Sequence, residues 1–152
     1  MRNHRCNSKI KILCITSVSI FIHCACTSLD DDVIPYVELD MNPINIYDPT
    51  YSDLSSPLGC VIIPDEGYEG NGIVVFRVSE NEFKAYDATC TYEIEEGCAV
   101  EEDETNILGV KCPCCGSKFE LVNDGVVTSG KAQYSLKSYR ISYSEPYIYI
   151  YN

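Results

Sequence analysis

Histidine is almost absent from this 152-residue chain. The only two, His4 and His23, both lie within the first 26 residues, which have the composition of a removable export signal. The mature chain would then lack imidazole, which excludes histidine acid–base catalysis and nucleophiles paired with histidine. Any metal site after residue 26 must therefore use other ligands.

Basic residues are also scarce. Of 11 Lys and Arg residues, four lie in the first 26, which hold no acid, so the rest carries 7 bases against 23 acids, a balance of 7 − 23 = −16. Such a chain repels phosphate backbones, which excludes nucleic acid as a partner. The composition is typical of a soluble, surface-exposed protein.

An apolar run at residues 12–22 follows the basic start and is too short for a comfortable membrane span. It leads to Ala25-Cys26 and an acidic stretch at residues 28–32, a pattern that resembles the lipobox and acidic export tag of Bacteroidetes lipoproteins. The resemblance implies lipidation at Cys26 and anchoring to the outer membrane of the cell envelope, and it leaves open whether the domain faces the surface or the periplasm. The alternative is an ordinary cleaved secretory signal.

Three regions are predicted: a signal at 1–26, an acidic tether with an N-terminal extended segment at 27–58, and a folded domain at 59–152. No amphipathic helix is predicted after residue 26. Short β-prone runs alternate with turn signals, which favours an all-β fold, a small antiparallel sandwich or barrel. These runs are residues 60–63, 72–78, 83–87, 107–111, 118–122, 126–127, 138–143 and 147–151. In the last run Ile148 and Ile150 should face the core, with the tyrosines outside.

Ten cysteines fall into two groups, and Cys6, Cys14, Cys24 and Cys26 belong to the signal region. An even set of six in an exported domain first suggests disulfides, whose connectivity the sequence leaves open. The six are Cys60, Cys90, Cys98, Cys112, Cys114 and Cys115.

Two cysteine motifs, Cys90-Thr91-Tyr92 and Cys112-Pro113-Cys114-Cys115-Gly116-Ser117, resemble the two cluster-binding loops of the Rieske family. Those loops read Cys-x-His and Cys-x-x-His. Tyr92 and Cys115 stand in the two histidine places. The likeness continues through the segment from Phe119 to Tyr139 and spans about residues 59–151. It implies a Rieske-like fold with a cluster-type subdomain at about residues 88–128.

The resemblance implies a [2Fe-2S] cluster, electron transfer to a redox protein partner, and Cys90 and Cys112 as retained iron ligands. It makes Cys115 a candidate thiolate ligand, whereas Tyr92 would have to ionise from a pKa of about 10. A Gly-Cys pair at the end of the first loop matches the family's place for a disulfide to the second loop. This implies a Cys98–Cys114 disulfide.

The cysteine spacing leaves other interpretations open. Cys90, Cys112 and Cys115 can hold zinc, a single iron or an unusual [2Fe-2S] cluster with a fourth ligand from Cys98, Cys60 or Tyr92. They can also form a second disulfide, Cys90–Cys112 or Cys90–Cys115. The alternative functions are a disulfide-stabilised envelope protein for binding or structure, and a cysteine-only zinc or dithiol module. A stand-alone enzyme is not indicated.

Overall fold

The computed structural model describes residues 33–152. The predicted signal at 1–26 and the predicted lipidation of Cys26 lie outside the described residues. Within the described part of the chain, no helix has the length and apolar character needed to cross a membrane.

The described chain forms ten β-strands and three short 3-10 helices. The strands are β1 (Ile44–Asn45), β2 (Cys60–Ile63), β3 (Ile73–Arg77), β4 (Phe83–Asp87), β5 (Glu101–Glu102), β6 (Gly109–Lys111), β7 (Lys118–Glu120), β8 (Val126–Ser129), β9 (Ser138–Ser144) and β10 (Tyr147–Tyr151). The 3-10 helices are Pro49–Ser55, Tyr68–Gly70 and Ile94–Glu96.

The strands build two antiparallel sheets. The larger has the order β1-β10-β9-β4-β3-β2, and the smaller, which we call the loop sheet, has the order β5-β6-β7-β8. The chain leaves the large sheet after β4, builds the loop sheet, and returns through β9, which pairs with β4 at Ala85 and Tyr139. The loop sheet is therefore an insertion between two neighbouring strands, and both of its connections run past the end of β4.

The sequence explains the large sheet well. Every residue of β3 is buried: the apolar run at residues 73–76 is typical of an interior strand, and the guanidinium of the buried Arg77 donates to the Leu54 carbonyl. In β10 the burial alternates: Ile148 and Ile150 are 0% and 7% exposed, whereas the three tyrosines that alternate with them are 43–45% exposed. The predicted inward isoleucines and outward tyrosines of this strand are confirmed, as is the all-β fold.

The segment before residue 59 is tied into the large sheet. Its short strand β1 pairs with β10, and Ile44, Ile46 and Leu54 are each no more than 2% exposed. The domain boundary at 58 stays a prediction, but these three side chains fill the core of the large sheet.

Two hydrophobic clusters result. One lies on the large sheet and contains only aliphatic and aromatic side chains, including Ile73, Val75 and Ile148. The other lies between the large sheet and the loop sheet and includes Cys90 and Cys112 beside Phe76, Tyr86 and Phe119. The second cluster thus places two of the predicted ligands inside the packed interior.

Candidate thiol site in two loops

The first cysteine loop begins where β4 ends, at the buried Asp87. Its carboxylate accepts hydrogen bonds from the Thr89 amide (2.8 Å), the Tyr68 amide (2.7 Å) and the Tyr139 hydroxyl (2.6 Å). A buried carboxylate with three donors is well satisfied and rigid. Asp87 therefore fixes the direction in which the loop leaves the sheet, three residues before Cys90.

The first loop closes on itself through backbone hydrogen bonds. The Cys90 amide donates to the Cys98 carbonyl (2.8 Å), and the Val100 amide donates to the Ala88 carbonyl (2.7 Å). An isolated bridge between Thr89 and Ala99 lies between them. This pairing brings Cys98 back beside Cys90.

The second loop connects β6 to β7. The Cys112 amide donates to the Ser117 carbonyl (2.8 Å), and the Gly116 amide donates back to the Cys112 carbonyl (2.9 Å). Gly116 has φ +75°, a left-handed conformation that favours glycine, and it completes the turn. Cys112, Cys114 and Cys115 are thereby presented from one tight hairpin.

A third segment, residues 130–132, packs against the second loop. A Cβ on Gly130 would stand only 2.3 Å from the Ser117 Cα, so no other residue allows this approach. The amides of Lys131 and Ala132 each donate to the Ser117 hydroxyl oxygen at 2.9 Å. Ser117 therefore links the second loop to the chain that returns toward β9.

The loops bring three free thiols together: Cys90, Cys112 and Cys115, which we call the thiol trio. Their sulfur atoms all lie within 4.8 Å of one another, and the Cys90 and Cys115 sulfurs are 3.6 Å apart. Cys90 and Cys112 are 1% and 2% exposed, while Cys115 is half-buried. This geometry can hold a metal ion.

Cys98 and Cys114 form a disulfide, which we call the tip disulfide. The predicted pairing is confirmed. It joins the first loop to the second and closes a sequence separation of 16 residues. Removing the conformational freedom of such a loop from the unfolded chain stabilises the fold by about 3 kcal/mol.

The thiol trio is electrostatically unequal. Burial is the main cause that raises the pKa of Cys90 to about 12. Burial also opposes ionisation of Cys115, but hydrogen bonds from the Ser117 hydroxyl and amide, with contacts to Cys112 and Cys90, hold the pKa of Cys115 below its usual value. Of Cys90 and Cys115, Cys115 therefore ionises first.

The Ser117 hydroxyl explains this preference. Its oxygen lies 3.1 Å from the Cys115 sulfur and already accepts two amide hydrogens, from Lys131 and Ala132. With both lone pairs occupied, the hydroxyl hydrogen remains for the Cys115 sulfur once that sulfur carries a charge.

A cavity of about 230 Å³ opens beside the trio and reaches solvent. Tyr92 lines it, and the Lys131 ammonium stands 5.3 Å from the centre of the Tyr92 ring. A hydrogen bond with Glu93, with smaller effects from burial and charge, raises the pKa of Tyr92 above its usual value. Tyr92 thus faces the site as a neutral phenol and is a poor candidate for a phenolate ligand.

The structure does not bring Cys60 to the trio. Cys60 lies on the edge strand β2 and lines a separate acidic groove beside Asp53 and Glu102. Burial first, and then these two carboxylates, raise the pKa of Cys60 to about 12. With Cys98 in the tip disulfide, two of the three predicted fourth ligands are unavailable in this state, and Tyr92 is the neutral phenol just described.

Sequence patterns alone reveal neither the bracing role of Ser117 nor the position of Lys131 above Tyr92. For Ser117 the sequence offers only an indirect signal, the Ser-Gly pair at residues 129–130 that comes just before the amides donating to its hydroxyl. Nothing in the sequence indicates the second, since it depends on how the third segment folds back.

Comparisons with known proteins agree with this architecture. A family model described as the Rieske [2Fe-2S] domain matches residues 64–140, more than half of the chain. The cyanobacterial plasma-membrane Rieske protein PetC3 of Synechocystis PCC 6803 is similar in structure, with a TM-score of 0.54 and 23% identity over 74% of this chain and 100% of that chain.

Two further solved structures resemble the chain less closely. The complex of oxygenase and ferredoxin in carbazole 1,9a-dioxygenase matches with 22% identity and a TM-score of 0.47 over 62% of this chain and 82% of that one. The Sphingomonas yanoikuyae B1 ferredoxin matches with 16% identity and a TM-score of 0.40 over 75% and 88%. No curated protein matches the sequence. On the strength of the family model and the shared fold, the chain belongs to the Rieske [2Fe-2S] domain family.

Proposed function

We propose that this chain is a lipid-anchored Rieske-type protein of the cell envelope whose thiol trio binds a single metal ion, and that with iron it transfers one electron. The observation that carries the proposal is the mutual approach of three sulfurs within 4.8 Å, supplied by the two loops that define the family. Iron held by thiolates alternates between ferrous and ferric states, so such a site carries a single electron.

The donor set does not fit the family's own cluster. A Rieske cluster uses two cysteines on one iron and two histidines on the other. The described residues contain no histidine, and the two histidine places hold Tyr92 and Cys115. The thiol trio supplies three donors where a two-iron cluster uses four, and the raised pKa of Tyr92 opposes its use as the fourth.

A single ion suits the sulfur geometry better. An ion with tetrahedral bonds of about 2.3 Å to sulfur holds its ligands about 3.8 Å apart. The 3.6 Å separation of the Cys90 and Cys115 sulfurs is close to that edge. The open cavity leaves room for a water or another small ligand in the fourth position.

The envelope location rests on the sequence and on the disulfide. The apolar run at residues 12–22 and the lipobox-like Ala25-Cys26 support lipid anchoring. The tip disulfide supports an oxidising compartment, because such bonds are rare in the cytosol. Mass spectrometry of the mature protein should find an acylated Cys26 at its N-terminus, and any other N-terminus contradicts the anchor.

Metal analysis and spectroscopy test the site. Full-length protein, purified in detergent without oxygen and loaded with ferrous iron, should bind one iron per chain and give a high-spin ferric EPR signal after oxidation. The variant Cys112→Ser should lose the iron, whereas Cys60→Ser, a matched loss of a free cysteine outside the trio, should keep it. Protein that binds neither iron nor zinc contradicts the proposal.

A second candidate function is a metal-free envelope protein stabilised by disulfides. The 3.6 Å contact between the Cys90 and Cys115 sulfurs favours it, because a small movement would allow a bond between them. Thiol titration of the denatured, oxidised protein separates the two. Four free thiols in the mature described chain support the metal site, and two support a second disulfide.

A further inference from the structure

Cys112 occupies a special place among the sulfurs. It belongs to the thiol trio, and its sulfur also lies with those of Cys98 and Cys114 in a second group, all within 4.8 Å of one another. The same side chain therefore adjoins free thiols on one side and a formed disulfide on the other. That arrangement is the starting geometry for thiol–disulfide exchange.

We propose that, in the metal-free protein, Cys112 relays a disulfide between the tip pair Cys98–Cys114 and the thiol trio. In the first step the Cys112 thiolate attacks the Cys98 sulfur. A Cys98–Cys112 bond forms, the Cys98–Cys114 bond breaks, and Cys114 leaves as a thiolate that takes up the proton released by Cys112. Attack on Cys98 is preferred because a bond to Cys114 would close a very short, stiff loop around Pro113.

In the second step another thiol of the trio attacks the Cys112 sulfur. A disulfide forms within the trio, the Cys98–Cys112 bond breaks, and Cys98 leaves as a thiolate that takes up the attacking group's proton. Two trio thiols are oxidised and the tip disulfide is reduced, so two electrons and two protons move with no outside oxidant.

Burial explains why a relay is needed. Cys90 and Cys112 are 1% and 2% exposed, so a thiol of another protein cannot reach them. Cys114 is exposed and Cys98 is half-buried, so the tip pair is accessible from outside. The relay therefore gives Cys90 and Cys112 a route of exchange with thiols and disulfides of other proteins, whereas the half-buried Cys115 reaches solvent directly.

A metal ion on the trio competes with the relay, because coordination lowers the nucleophilicity of the Cys112 sulfur and holds it among the trio. The relay does not require that the trio ever binds metal. Its test is made on chelator-treated protein, so its failure is separate from failure of the metal site.

Trapping the leaving thiol provides the experiment. Full-length protein, purified in detergent with the tip disulfide intact, is incubated without oxygen, reductant or metal in the presence of a bulky maleimide. The expected result is gradual labelling of Cys114, which in the starting state is bonded and cannot react. A digest kept unreduced should then show a disulfide that contains Cys112.

Matched variants complete the test. Cys112→Ala should abolish labelling of Cys114, whereas Cys60→Ser should leave it unchanged. Wild-type protein in which Cys114 is never labelled overturns the relay, and so does labelled Cys114 in a chain that holds no disulfide. If the Cys112→Ala variant fails to fold, the bond found in the wild-type digest decides the outcome alone.

Discussion

The large sheet and the loop sheet are stabilised by different means. The core of the large sheet consists of aliphatic and aromatic side chains that alternate along paired strands, such as Ile148 and Ile150. The loop sheet has strands of only two to four residues and relies on the tip disulfide, an ion pair and the hydrogen bonds around Ser117. The large sheet is a scaffold stabilised by the burial of apolar side chains, whereas the loop sheet holds its thiols in place through a disulfide, an ion pair and hydrogen bonds.

The largest effect is expected from the scaffold. Ile148→Ala removes a fully buried side chain from the large sheet and should lower the free energy of unfolding by about 2–5 kcal/mol. Urea unfolding followed by circular dichroism measures it. The neighbouring Tyr149→Ala, at a 44% exposed position, is the control and should cost much less. Equal losses in the two variants would contradict the assigned orientation of β10.

Opening the tip disulfide should affect the loop sheet more than the scaffold. The free energy of unfolding of the double variant Cys98→Ser/Cys114→Ser should fall by about 3 kcal/mol, because the unfolded chain regains the conformational entropy of a loop of this length. Hydrogen exchange should rise around residues 88–117 and stay low in β3. A uniform rise through both sheets would show that the two regions are not independently stabilised.

Removing one hydroxyl should change the reactivity of Cys115. Ser117→Ala deletes the acceptor of two amides and the hydrogen bond to the Cys115 sulfur, so stability should fall by about 1–3 kcal/mol and the pKa of Cys115 should rise. The pH dependence of Cys115 alkylation in metal-free protein measures that pKa. Exposed Ser129→Ala is the control, and an unchanged alkylation profile in Ser117→Ala would refute the role given to Ser117.

The smallest effect concerns acid stability of the loop sheet. The Asp103 carboxylate accepts from Lys118 (2.6 Å) and Thr105, and these contacts hold its pKa well below the usual value. A depressed carboxyl pKa adds stability that is complete above the unfolded pKa, about 4, and is lost as the pH falls toward the folded value.

The matching variant tests this stability. Asp103→Asn should flatten the loss of stability between about pH 4 and pH 2, while the exposed Glu104→Gln should leave it as in the wild type. Thermal unfolding across this range gives the comparison. If the Asp103→Asn protein loses as much stability in acid as the wild type, other carboxylates must cause that loss.

The difference between the two sheets also explains which strands could be predicted from the sequence. The strands at residues 60–63, 73–77, 83–87 and 147–151 follow from apolar runs and alternation, because burial in a sheet imposes that pattern. The strand β5 and the three 3-10 helices carry no such pattern and do not follow from the sequence. They depend on pairing and turns that only the folded chain establishes.

The site was predictable in part. The family resemblance of the motifs at Cys90 and Cys112 predicts that the two loops lie together. The position of Gly97-Cys98 at the end of the first loop predicts the tip disulfide. The distances within the trio and the exclusion of Cys60 could not be read from spacing. They depend on how β2 and the two loops pack in three dimensions.

The central claim is that one metal ion replaces the family's two-iron cluster. X-ray absorption at the iron edge of the anaerobically loaded protein tests it most directly. The account predicts three sulfur ligands per iron at about 2.3 Å and no neighbouring iron. An iron–iron distance in the spectrum, or coordination by oxygen and nitrogen alone, would contradict it.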